Sequence, residues 1–275
     1  MTGCPRILVV LALAAFLFFA GCADKDAYTF AVVGDFQQPD GGNGYKPVSH
    51  EIVSAIAAGP AQFVVVVGDL IAGRGEERWR EFDDLVKPLR QADKPIYAII
   101  GNNDLHSKQM GVGFEKRFGE RRGVVAKPGL WLVLLDSEAH ADGYADYNLG
   151  EEQTAWLQTK PWRRELAAGP DPLLFFFLHR PVWRSKPMER DLTHKYGRDK
   201  PAIAALLAGL DADAVFSGHE HIYEKNEKEK VTYYITGGGG GKLIPVYGYH
   251  HFLLVTVSPT KRAWSEKVVK VEGSD

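Results

Sequence analysis

With 275 residues, 45% of them apolar and 25% charged, the chain has room for one large domain or two small ones, and disordered, collagen-like and multi-span membrane classes do not fit it. Its 33 Lys and Arg stand against 35 Asp and Glu, a net charge of -2, and no block of one sign interrupts the balance. A broad basic surface for nucleic acid is therefore not expected.

The chain opens MTGCPRILVVLALAAFLFFAGC: one basic residue, Arg6, then an apolar run from Ile7 to Ala20, then small residues before Cys22. That order predicts a secretory signal peptide over residues 1–22. The run falls short of the roughly 20 apolar residues that a membrane-spanning helix needs. Phe19-Ala20-Gly21-Cys22 resembles the lipobox of bacterial lipoproteins, with Phe19 where that motif usually has Leu. The resemblance implies that Cys22 is lipidated and becomes the mature N-terminus. The protein would then be exported to the cell envelope or periplasm and tethered to a bacterial lipid bilayer. An ordinary signal peptide cut beside a cysteine is the other reading of the same residues. Cys4 leaves with the signal, so the mature body has no pair of cysteines and no disulfide.

Beyond Cys22, short apolar runs predict strands at 29–33, 63–67, 95–100, 130–135, 173–178, 214–216, 231–236 and 251–257. Their apolarity is continuous, the pattern of strands buried on both faces. Helix-like stretches at 48–58, 76–91, 151–166 and 200–209 alternate with the earlier runs, which predicts an α/β layered architecture. The later runs, with Gly237 to Gly241 as a turn, read as adjacent antiparallel strands. No repeat or linker interrupts the chain, so one domain over 24–270 is expected.

Polar residues of ligand type stand directly after five of these runs. The run at 29–33 leads into Gly34-Asp35, 63–67 into Gly68-Asp69, and 95–100 into Gly101-Asn102-Asn103-Asp104. The run at 173–178 leads into His179, and 214–216 into Ser217-Gly218-His219-Glu220-His221. Singly, each is ordinary turn or loop chemistry. Five in order along the chain, all at carboxyl ends of strands, predict one shared ligand site.

This order resembles the calcineurin-like metallophosphoesterase superfamily, whose signature runs D-x-H, G-D-x-x-D, G-N-H-[D/E], H, then G-H-x-H. Gly150-Glu151-Glu152-Gln153 with Trp156-Leu157, His179-Arg180-Pro181 and the stretch from Gly218 to Glu224 look like its purple-acid-phosphatase branch. The resemblance implies a four-layer α/β/β/α sandwich in a single domain. It also implies two divalent metal ions, one held by Asp69, Asn102, His179 and His219, the other by Asp35, Gln37, Asp69 and His221, with Asp69 shared. Imidazole, carboxylate and amide donors suit Mn, Fe or Zn, not copper or an iron–sulfur cluster. The implied reaction is hydrolysis of phosphomonoesters or phosphodiesters by a hydroxide that bridges the metals. Two dications against Asp35, Asp69 and a hydroxide leave about one positive charge facing the phosphoester substrate, so no basic patch is needed.

Three positions depart from the family pattern. Gln37 stands where the D-x-H histidine would be, so the second metal takes an amide oxygen or loses a ligand. Ala72 stands where the purple branch has its metal-ligating Tyr, which predicts a colourless protein. Asn103 replaces the His of G-N-H-[D/E], which assists the leaving oxygen or orients the phosphate. Asn103 and His179 remain the catalytic candidates, with His106 or His194 in place of the lost imidazole. Asn103 and Arg180 are the substrate-binding candidates; Arg184 is a further one, although a surface or ion-paired arginine is the plainer reading of both arginines. General acid catalysis is worth about 10²- to 10⁴-fold, so loss of that group predicts a preference for good leaving groups. The competing reading is a non-catalytic envelope lipoprotein that keeps the fold for binding.

Overall fold

A computed structural model of the chain describes residues 25–37, 44–71, 73, 75–105, 111–139, 147–159, 171–190 and 198–273. The predicted runs form strands β1 (Tyr28–Val33), β2 (Val64–Val67), β3 (Ile96–Ile99), β5 (Leu130–Leu134), β6 (Leu173–Phe177), β7 (Ala214–Ser217), β9 (Val231–Thr236) and β10 (His251–Ser258). Three more strands, β4 (Gly123–Lys127), β8 (Tyr223–Lys228) and β11 (Ala263–Lys270), are not among the predicted runs; β8 and β11 are rich in charge, and β4 is short and ends in Lys127. They are paired antiparallel at the rims of two sheets. Lys and Glu on the outer strands are what a sheet margin carries to discourage further pairing.

The first sheet has the order β11-β10-β1-β2-β3 and the second β4-β5-β6-β7-β9-β8. β1, β2 and β3 are parallel, as are β5, β6, β7 and β9. The expected antiparallel pairing of the runs at 231–236 and 251–257 is not found. β9 lies parallel to β7 in the second sheet and β10 antiparallel to β1 in the first, so the glycine run crosses between sheets. The reason is local: β9 and β10 each pair instead with the polar strand next to them in sequence, β8 and β11. Glu229 and Lys230, both at positive φ, make the tight β8–β9 turn.

Helices α1 (Pro47–Ala58), α2 (Glu76–Leu85), α3 (Lys87–Gln91) and α4 (Val112–Phe118) accompany the first sheet, and α5 (Gly150–Thr159) and α7 (Pro201–Gly209) the second. A short helix, α6 (Lys186–Glu189), comes after β6. α1 places Val48, Ile52 and Ile56 on one buried stripe at i, i+4 spacing, with Pro47 at its first turn where no N–H is needed. The single helix predicted over 76–91 is two, because Lys87-Pro88 starts a new first turn after Val86.

Three apolar layers result. Phe30, Val65, Val67, Phe175, Phe177 and Phe216 fill the space between the sheets; Val33, Val66, Phe82 and Phe114 lie under the first helical layer, and Val133, Phe176 and Leu207 under the second. The fold is the expected α/β/β/α sandwich. β2, whose four valines are fully buried, needs apolar residues on both faces because it is covered on both. Among the described residues, no helix is long and apolar enough to cross a membrane.

Candidate metal centre

The loops that leave β1, β2, β3, β6 and β7 meet at one edge of the sandwich, and they are bonded to each other. Asp35 N–H donates to Gly68 O, Phe36 N–H to Asp69 O and Gly218 N–H to His179 O, each at 3.0 Å. Three of the expected ligands have left-handed backbone: Asp35 (φ 63°), Asp69 (φ 52°) and His219 (φ 68°). Such φ values are uncommon outside glycine, and Asp and His are among the few side chains that adopt them. Two glycines make the approach possible. A Cβ at Gly101 would overlap the Asp69 backbone, and one at Gly218 the Asp35 carboxylate.

His179 Nδ1 lies 2.9 Å from Val67 O, and a carbonyl can only accept, so Nδ1 carries the hydrogen and Nε2 faces the site. Nε2 is 3.0 Å from Asn102 Oδ1 and 3.4 Å from Asp69 Oδ1. His221 is fixed the same way, its Nδ1 donating to Lys242 O at 2.6 Å and its Nε2 lying 3.3 Å from Asp35 Oδ1. Asp35, Asp69 and His221 each offer a ligand atom, all within 4.8 Å of one another. Asp69 turns one oxygen to each group. Oδ1 lies beside His179 and accepts Asn103 N–H at 2.8 Å; Oδ2 accepts Gln37 Nε2 at 2.9 Å and the Asn103 amide at 2.5 Å. His219 N–H donates to both oxygens of Asp35, at 3.0 and 3.1 Å, and its ring stands 5.1 Å from that of His179.

The charges are set by this packing. Burial alone would raise the Asp69 carboxyl, but the His179 imidazolium and the Asn103 N–H outweigh it and hold the group well below the usual carboxylate range. Burial alone would lower His179, and Asp69 outweighs it in turn, raising His179 to about 10. His219 is pushed far down by burial and by the positive charges of His179 and Arg180, so it is neutral. An imidazole nitrogen, an amide oxygen and a carboxylate oxygen meeting near 3 Å need a cation among them. In the metal-free chain a proton on His179 is that cation, and a metal ion would displace it. Gln37 Oε1, buried and without a hydrogen-bond partner among the described residues, is a further donor left over in the same place. The donor set fits divalent metal.

The structure thus gathers Asp35, Gln37, Asp69, Asn102, Asn103, His179, His219 and His221. Asn103 gives both its N–H and its side-chain amide to Asp69, so it steadies that carboxylate. Arg180 departs from its expected role in binding substrate. It is buried, and its guanidinium is held by Glu138 in a forked pair, Nε to Oε1 at 2.8 Å and Nη2 to Oε2 at 2.8 Å. At 3% exposure and with Glu138 already paired to it, that charge is not open to an outside anion. Arg184 is likewise tied, through its N–H to Asp199 and its Nη1 to Met188 O. Cys22, Ala72, His106, His140 and His194 lie outside the described residues.

The glycine run passes beside the centre, with Gly239 N–H on Gly34 O and Gly241 N–H on Asp35 O. His251 is buried against Thr236, and burial pushes it down to about 4, so it is a neutral structural group. Three buried carboxylates near the site, two of them inside the strand-end motifs, are given no role by the sequence. Asp104 accepts backbone N–H groups, Glu138 holds Arg180, and Glu220, between the two ligand histidines, accepts Ser185 N–H at 3.0 Å. A cleft of about 550 Å³ lined by Arg121, Arg122, Asp136 and Gln153 lies on the Glu138 side, its arginines paired with Glu115 and Glu152.

Comparison with known proteins agrees with this geometry. A family model for calcineurin-like phosphoesterases matches residues 28–223. The probable cyclic nucleotide phosphodiesterase of Rhodococcus erythropolis is 28% identical over 178 residues, 62% of this chain and 56% of that protein. Purple acid phosphatase 23 of Arabidopsis thaliana is 25% identical over 267 residues, 80% of this chain and 54% of that protein. The chain therefore spans about half the length of these curated relatives. A purple acid phosphatase from yellow lupin seeds shares the fold, with a TM-score of 0.59 and 17% identity over 84% of this chain and 49% of that one.

Proposed function

Because the chain belongs to the calcineurin-like phosphoesterase family, we propose that it is a hydrolase of phosphomonoesters or phosphodiesters that works with two divalent metal ions. The observation that supports this reading is Asp69, whose two oxygens address two separate groups of donors, Asn102 with His179 and Asp35 with Gln37 and His221. Two ions bound there supply positive charge and a readily deprotonated water for in-line displacement at phosphorus. The chain's own residues do the rest. His179, Asn102 and His219 would hold one ion, and Asp35, His221 and the Gln37 amide the other. Val67 O and Lys242 O fix the tautomers that aim the imidazoles inward. Asn103 has no ionisable group, so it offers the leaving oxygen no proton. That supports a preference for aryl and other activated esters over alkyl monophosphates.

The test is metal content of protein purified without chelator, with hydrolysis of bis-p-nitrophenyl and p-nitrophenyl phosphate and of a series of aryl and alkyl phosphates with leaving groups of rising pKa, each measured with and without Mn²⁺. About two ions per chain and Mn²⁺-dependent turnover that falls steeply as the leaving group's pKa rises are expected. One ion or none, with no turnover in excess Mn²⁺, would leave the fold as a binding module.

The proposal extends to location: an exported protein held to the envelope through Cys22. Cys22→Ser should move it from the membrane to the soluble fraction, and unchanged membrane association would refute the anchor.

A further inference from the structure

Asp104 has no part in the metal ligation above, yet it is buried, 6% exposed, in the 3₁₀ turn Asn102–Leu105 that carries Asn102 and Asn103. All three of its described side-chain partners are backbone N–H groups. Its Oδ1 accepts Leu70 N–H at 2.9 Å and Ile71 N–H at 3.0 Å, the two residues directly after Asp69. Its Oδ2 accepts Gly101 N–H at 2.7 Å, directly before Asn102. We infer that Asp104 is a positioning residue for the metal centre: its one carboxylate fixes the loop of Asp69 relative to the loop of Asn102. The inference rests on the metal-centre reading above.

Two features carry it. The left-handed turn at Asp69 aims the next two N–H groups the same way, and buried N–H groups need an acceptor. Asp104 provides that acceptor from the neighbouring strand's loop. The tie also runs in the other direction, since the Asp69 carboxylate accepts Asn103 N–H at 2.8 Å. The two loops hold each other by reciprocal carboxylate-to-backbone bonds. A metal ion on the Asp69 oxygens would compete with the bond from Asn103, leaving the Asp104 half of the clasp to keep the spacing.

The test compares Asp104→Asn with Asp213→Asn in the full chain. Asp213, just before β7 and away from the candidate ligands, accepts Leu174 N–H at 2.8 Å in the same way and also pairs with Arg262 at the surface. Each protein is stripped by dialysis against chelator and titrated with Mn²⁺ in a calorimeter. Asp104→Asn should bind Mn²⁺ about 10- to 100-fold more weakly, the usual cost of disturbing a ligand's support. Asp213→Asn should lower thermal stability but keep the affinity within about twofold, as distant sites act independently. Wild-type affinity in Asp104→Asn overturns the inference. If that variant does not fold, hydrogen exchange decides on the wild-type chain. The Leu70, Ile71 and Gly101 amides should slow together on adding Mn²⁺ while Leu174 does not; no change at the three overturns it. A wild-type chain that takes up no Mn²⁺ refutes the metal-centre reading itself, and this inference falls with it.

Discussion

Asp69→Asn is expected to lower Mn²⁺-dependent hydrolysis by about 10³-fold or more while the metal-free protein keeps its fold. The loss comes from charge and geometry together. Asp69 is the residue whose two oxygens face both donor groups, and an amide has one oxygen and no negative charge. A deficit of about 4 kcal/mol in transition-state stabilisation, modest for a group that serves two ions, already gives that factor. The fold survives because the partners can adapt. Gln37 and Asn103 now donate amide hydrogens to Asp69, and either amide can turn to present its oxygen to the new NH₂ group. Asn also accepts the left-handed φ of 52°. Mn²⁺ should stabilise the wild type by about 3 kcal/mol at a hundredfold excess over its dissociation constant, and the variant hardly at all. Thermal unfolding with and without Mn²⁺, beside steady-state rates, checks both halves. Turnover within tenfold of wild type would mean that Asp69 is not the shared ligand.

Glu138→Gln should be the most damaging single change to stability near the site, by about 3–5 kcal/mol, a lowering of the melting temperature by roughly 10 °C for a domain of this size. Arg180 and Glu138 are almost fully buried, with side chains 4% and 1% exposed. Such a pair contributes little by existing, since desolvation offsets its attraction. Breaking it leaves the guanidinium buried beside uncharged groups, and that cost is not offset. The double variant Glu138→Gln with Arg180→Met removes the stranded charge and should recover much of the loss. Urea unfolding of the two singles and the double closes the cycle. A Glu138→Gln protein within about 1 kcal/mol of wild type would show that water reaches Arg180. Because Arg180 is next to His179 in sequence and helps keep His219 uncharged, the double variant also tests whether the pair tunes the imidazoles.

What could be read from the sequence, and what could not, divides by the kind of bond involved. β1, β2, β6 and β9 announce themselves because strands covered on both faces must be apolar throughout. β8, YEKNEK, and β11, AWSEKVVK, alternate with charge and look like loops until their partners are known. Without those two strands, β9 and β10 have only each other to pair with, hence the mistaken hairpin. The candidate ligands were legible because Asp, Asn or His follows five of the buried strands, although any one of them alone is ordinary turn chemistry. The partners of Asp104, Glu138 and Glu220 were not, although Asp104 fills the acidic position of the family signature. A carboxylate that accepts an N–H from a loop over thirty residues away has the same spelling as one facing water. The ion pair that was the plainer reading of Arg180 is found, but its partner was hidden for the same reason, being 42 residues upstream in an unremarkable Asp-Ser-Glu.

The left-handed turns at Asp35 and Asp69 also shape how this gene can drift. Backbone of that kind admits Gly and Asn at least cost, and in the genetic code each is one base away from Asp. The easiest substitutions at the two carboxylates are therefore ones the scaffold accepts but a metal does not. A lineage that no longer needed the reaction could lose it in a single step and still make a soluble, well-packed domain with the same surface loops. Purifying selection on chemistry, and not on folding, is what would keep aspartate at these two positions.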